Sequence, residues 1–92
     1  MAKNIVGQRI KIARALHRPP LSQSNLLARV QILELLKSQP TLSKIESEER
    51  PVMDSELVIF AKALNVDILW LLGEKEMIIW LRLFQITVAQ VR

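Results

Sequence analysis

The stretch Ser38-Gln39-Pro40-Thr41-Leu42-Ser43-Lys44-Ile45-Glu46 limits how this chain can fold more than any other. Ser38 is a strong N-cap whose hydroxyl can take a free backbone N–H, and Pro40 falls in a first helical turn, where its missing N–H costs nothing. A short helix starts here. On that helix Leu42 and Ile45 lie three apart on one buried face, while Gln39, Thr41, Ser43 and Lys44 project from the other sides as a polar set. Such a set can meet a nucleic acid: glutamine pairs with an adenine edge, lysine reaches guanine O6 and N7, and short hydroxyls suit phosphates. The same pattern also fits a solvated helix with two core residues, so the surrounding sequence has to decide.

Ninety-two residues make one domain, short of what a deep enzyme cleft needs, and with 50% of them hydrophobic the chain is not disordered. It has no cysteine, which excludes disulfides, thiolate metal sites and a cysteine nucleophile. Lys3, Arg9, Lys11 and Arg14 interrupt every apolar run near the start, so a signal peptide is not expected and a cytoplasmic protein is. The net charge of +4 hides an asymmetry. Residues 1–33 hold Lys3, Arg9, Lys11, Arg14, Arg18 and Arg29 with no acid, and residues 34–92 hold seven basic and nine acidic side chains. The first part reads as a cationic surface, which draws polyanions, DNA foremost, although an anionic membrane or an acidic protein would be drawn too.

The apolar residues Ile5, Val6, Ile10, Ala13 and Leu16 follow helical spacing and predict a first helix from Asn4 to Leu16, stopped by His17-Arg18-Pro19-Pro20. Ser22 caps a second helix with Leu26, Leu27, Val30 and Leu33 on its apolar face, and Leu21 is placed to staple it. It could run on through Glu34-Leu35-Leu36-Lys37, but Ser38 and Pro40 need a fresh start, so it is ended near Leu33. Ser47-Glu48-Glu49-Arg50-Pro51 is a charged loop. A fourth helix capped by Asp54 runs to Leu64 on Leu57, Phe60, Ala61 and Leu64. Asp67 then caps a fifth that Gly73 ends, with Ile68, Leu69, Leu71 and Leu72 closing the core and Trp70 at its margin.

Residues 74–92 differ. Arg82, Gln85, Ala89 and Arg92 form one narrow stripe on an otherwise apolar segment, read as a C-terminal helix with a strand as the competing possibility. A membrane span needs about 20 apolar residues, and this shorter run carries Arg82 and Gln85, so no membrane partner is expected. So much apolar surface either folds back on the domain or buries itself against a second copy, and the latter is preferred.

Five ordered segments resemble the lambda-repressor-like helix-turn-helix regulators, also called Cro/C1 or XRE type. They are Gly7-Gln8-Arg9-Ile10 with Ala13-Arg14, Leu21-Ser22-Gln23-Ser24-Asn25-Leu26, Thr41-Leu42-Ser43-Lys44-Ile45-Glu46, Glu56-Leu57 with Phe60-Ala61-Lys62-Ala63-Leu64-Asn65-Val66, and Trp70-Leu71-Leu72-Gly73. The resemblance covers residues 4–73 and implies an all-α, compact five-helix DNA-binding domain over residues 1–73, with the apolar segment 74–92 outside it as a possible dimerisation element. It implies that the third helix enters the major groove of double-stranded DNA and the second crosses the backbone. By position Gln23 would hold a phosphate through its amide and backbone N–H, Gln39, Pro40 and Lys44 would face base edges, Thr41 and Ser43 would lie nearer the sugar-phosphate, and Ser38 and Arg50 are counted with the DNA-binding residues. Arg14 and Glu46 correspond to an internal salt bridge tying the first helix to the third.

This chain departs from the pattern in places. The distance from Ser22 to Glu46 is longer than in the compact phage repressors, Glu34 stands where a turn glycine would be, Ser47 replaces the glycine after the third helix, and Glu48 and Glu49 put acid near the phosphates. Taken together the residues predict a sequence-specific, homodimeric DNA-binding transcriptional regulator. The alternative is a protein-interaction or antitoxin-like module on the same fold, using the apolar tail. With one histidine, no cysteine and no phosphate-cradling glycine run, neither a catalytic residue, a metal, a cofactor nor a small-molecule substrate is expected.

Overall fold

The computed structural model describes residues 2–74, and among them the chain is all helical: α1 (Gly7–Leu16), α2 (Gln23–Ile32), α3 (Gln39–Glu46), α4 (Asp54–Leu64) and α5 (Ile68–Leu71). The expected apolar helix at 74–92 lies, beyond Glu74, outside the described residues. Val6 just ahead of α1, Ile10 and Ala13 from α1, Leu26 and Val30 from α2, Leu42 and Ile45 from α3, Phe60 and Leu64 from α4, and Trp70 and Leu71 from α5 form one buried core. α1 to α4 each contribute an i, i+3 or i+4 pair and α5 two adjacent residues, so burying these side chains fixes which face of α3 turns inward.

α2 and α3 are separate helices. The Ser22 hydroxyl accepts from Asn25 N–H and the Asn25 amide accepts from Ser22 N–H, closing a reciprocal cap on α2. Ser38 caps α3 through Thr41 N–H, with Pro40 in the first turn. Between them Leu33 ends α2 and Glu34 takes a left-handed backbone at φ 68°. The Leu35 N–H then bonds to Val30 C=O and the Glu34 N–H to Gln31 C=O, the paired bonds of a Schellman stop. α3 stops in the same way one residue later than the sequence suggests: Glu48, not Ser47, is the left-handed residue (φ 66°), with Glu49 N–H on Lys44 C=O. Asn65 and Gly73 play that part for α4 and α5, and these residue types suit it far better than glutamate does. Glu34→Gly is expected to raise stability by about 0.5–1 kcal/mol, roughly 3–6 °C in a thermal melt, and Glu48→Gly by a similar amount. A melt unchanged or lowered by both would show that their side chains compensate for the backbone.

Four expectations are corrected. α1 begins at Gly7, not Asn4, and Ile5 is 68% exposed. Asn4 lies ahead of the helix and its Oδ1 accepts from Val6 N–H and Gly7 N–H, while its Nδ2 donates to the carbonyls of Ile45 (3.1 Å) and Arg50 (2.7 Å). One amide thus caps the start of α1 and holds the end of α3, with its four hydrogen-bonding positions filled. Asp54 is the first residue of α4 rather than its cap; Met53 occupies the cap position and its N–H is taken by the Glu56 carboxylate. In α5, Trp70 is buried (2% exposed) and Leu69 faces out, the reverse of the expected order, because Arg9 lies over the Trp70 ring at 5.0 Å and donates to the Trp70 carbonyl. Leu33, placed on the apolar face of α2, is exposed where that helix has already ended.

Candidate nucleic-acid interface

α3 turns Leu42 and Ile45 into the core and leaves Gln39, Pro40, Ser43 and Lys44 exposed, so of the polar set expected from the sequence Gln39, Ser43 and Lys44 are exposed and Thr41 is half-buried. What holds that face is a buried carboxylate. Glu46 is 2% exposed, and Arg14 grips it with Nε on Oε2 at 2.7 Å and Nη2 on Oε1 at 2.8 Å, while Arg14 Nη1 donates to the Leu21 carbonyl. This fork joins α1, the α1–α2 connection and α3 in one bidentate contact. Gln23 adds a third donor, Nε2 to Glu46 Oε1 at 3.0 Å. Its Oε1 in turn accepts from Ser43 Oγ (3.2 Å) and Gln39 Nε2 (3.4 Å). The side chain expected to hold a phosphate is therefore engaged within the protein, linking the Glu46 anchor to two residues of the exposed face. The backbone N–H of Gln23, in the first turn of α2, is left as the group that could meet an anion.

Ser38 and Thr41 form a local pair, Oγ to Oγ1 at 2.9 Å, beside the start of α3, with Thr41 half-buried. Lys44 makes no ion pair with the described residues and its ammonium is exposed. Arg50 sits differently from the others. It is half-buried, and its Nη1 is shut away from solvent without a hydrogen-bond partner among the described residues. Its charge is felt by Glu56. Burial pushes the Glu56 carboxyl up, but a hydrogen bond from Lys37, the Met53 N–H and the charges of Lys37 and Arg50 outweigh it and hold the group below its ordinary value. The Lys37–Glu56 ion pair ties the α2–α3 turn to the start of α4.

The cationic surface is thinner than the charge count suggests. Arg14 is neutralised by Glu46, and Arg9 and the exposed Arg29 each place a guanidinium donor on a carbonyl, Trp70 and Ala63, which leaves Lys3, Lys11 and Arg18 as the exposed cations ahead of α2 without a partner among the described residues. Asn4, Lys37 and the Arg9–Trp70 contact were not picked out from the sequence. Asn4 carried a usable signal, an asparagine three residues before Gly7, but the apolar spacing that begins at Ile5 masked it. Lys3 N–H donates to Glu48 C=O at 2.8 Å, so the residues ahead of α1 run along the end of α3.

Among the described residues no helix is long and apolar enough to cross a membrane, and no group of three His, Cys, Asp or Glu could hold a metal. The helix-turn-helix family model matches residues 33–71, from the α2–α3 turn to the end of α5. No curated protein and no solved structure matches the chain. The matched family is one of DNA-binding domains, and the match takes in α3, α4 and α5 of the five described helices. Residues 33–71 carry the helix-turn-helix match, and the chain has the lambda-repressor-like fold around it.

Proposed function

We propose that this chain is a sequence-specific transcriptional regulator of the cytoplasm that binds double-stranded DNA as a homodimer, each copy laying α3 in a major groove. The observation that carries the reading is α3 itself. It is a separate helix whose core side is fixed by Leu42, Ile45 and the Arg14–Glu46 fork, and whose outer side offers Gln39, Ser43 and Lys44. Phosphate contacts set the register, while Gln39 and Lys44 read bases; occupancy then blocks or recruits polymerase. Selection of bound sites from random duplexes tests it. The wild type is expected to enrich a palindrome with half-sites roughly 34 Å apart. Lys44→Ala should relax one position at a cost of about 1–3 kcal/mol there. Binding that never rises above the low-salt background would sink the proposal.

The dimer rests on composition: residues 77–91 are apolar apart from Arg82, Gln85, Thr87 and Gln90. The chain cut after Gly73 is expected to sediment as a monomer and the full chain as a dimer. A truncated chain that stays dimeric would move the interface into the described domain.

A protein-interaction module on the same fold is the second reading. Glu49 and the exposed Ile32, Leu36 and Met53 favour it, since acid repels phosphates and apolar surface fits a protein partner. The same selection decides, because that module would enrich no sequence.

A further inference from the structure

Glu46 settles which way the Gln23 amide faces. Turned around, the amide would set its oxygen against the Glu46 carboxylate, two acceptors with no proton between them, so Nε2 faces inward and Oε1 outward. The outward Oε1 then takes the hydroxyl proton of Ser43 and one N–H of Gln39. This leaves the two exposed side chains with unequal chemistry. Gln39 keeps its carbonyl oxygen and a second N–H. Ser43 has given away its only proton and presents lone pairs alone.

We propose that Gln23, a residue of α2, makes Ser43 an acceptor-only reader that selects an amino-bearing base, adenine N6 or cytosine N4, and rejects the keto oxygens of guanine and thymine. The proposal rests on α3 reading DNA as proposed above. A free serine hydroxyl rotates and can donate to a keto oxygen as readily as it accepts from an amino group, so serine alone discriminates poorly. Here the rotor is held by Gln23 Oε1, whose direction is set by Glu46, whose place is set by Arg14. Gln23 is a positioning residue: it acts through Ser43.

The test is site selection from random duplexes with the full chain as wild type, Ser43→Ala, Gln23→Ala and Gln23→Lys. Ser43→Ala identifies the base position that depends on Ser43. At that position the wild type is expected to favour amino over keto bases about tenfold, the worth of one hydrogen bond against two opposed acceptors. Gln23→Ala frees the hydroxyl and should reduce the ratio to about twofold; the position read by Gln39 changes as well, because Gln39 loses the same acceptor, while the position read by Lys44, which has no bond to Gln23, stays as it was. Gln23→Lys keeps a donor toward Glu46 but has no acceptor for Ser43, so it should relax the same position even if its charge tightens binding to every sequence alike. A purely structural role for Gln23 would lower affinity across all sequences and leave the ratio alone. A keto base at the Ser43-dependent position, an unchanged ratio in both Gln23 variants, or no Ser43-dependent position within an enriched palindrome overturns the inference and spares the DNA reading. No enriched sequence for any of the four chains overturns both.

Discussion

Glu46→Ala is expected to lower the unfolding free energy by about 3 kcal/mol, read as a shifted urea midpoint at unchanged slope. The substitution removes the acceptor of three side-chain donors, two from Arg14 and one from Gln23, and leaves the Arg14 guanidinium mostly buried without its counter-charge. Arg14 keeps some solvent contact and its bond to the Leu21 carbonyl, which places the loss at the lower end of what breaking a buried pair costs. Arg14→Ala should cost at least as much, since the group left behind is a carboxylate with 2% exposure. Replacing both by leucine should recover most of the loss, because two apolar side chains need no counter-charge. A Glu46→Ala chain within 1 kcal/mol of wild type would mean that the fork does not hold α3 in place.

Gly7→Ala should destabilise by about 2–3 kcal/mol, although alanine is the better helix former. A Cβ at Gly7 would run into the Ile45 carbonyl oxygen, and would stand 2.8 Å from the Glu46 carbonyl oxygen and 2.9 Å from Glu48 Cγ. The glutamate side chain can swing away; the two carbonyls are backbone and can move only if α3 shifts. Thermal melts and DNA affinity should therefore fall together. Increased stability would show that α1 and α3 lie further apart than this.

The helices were legible in the sequence because their stop and start signals are local. Ser22, Ser38 and Asp67 each cap the helix assigned to them, and the proline pair after α1 ends it. The left-handed turns were less so: a glutamate carries no local sign that it will adopt the φ of 68° and 66° found at Glu34 and Glu48, which follows from how the helices on either side pack into one core. The exposed face of α3 could be read from spacing alone, but the Gln23 network could not. It joins residues 16 to 23 positions apart, and helical periodicity says nothing about contacts at that range. The carbonyl bonds of Arg9 and Arg29 were hidden for a related reason. Sequence gives a charge its sign, whereas its use as a carbonyl clamp depends on which helix end lies opposite.

Asn4 has a consequence for how this fold can be divided. The family match starts at residue 33, yet the amide that fastens the far end of α3 comes from residue 4, the cation facing Glu46 from residue 14, and the partner of Ser43 from residue 23. The portion carrying the signature is therefore not self-supporting. A peptide or chimera made from residues 33–71 alone would keep the exposed side chains of α3 but lose the Asn4, Arg14 and Gln23 braces, so carrying the proposed reading face to another scaffold requires moving the first two helices as well.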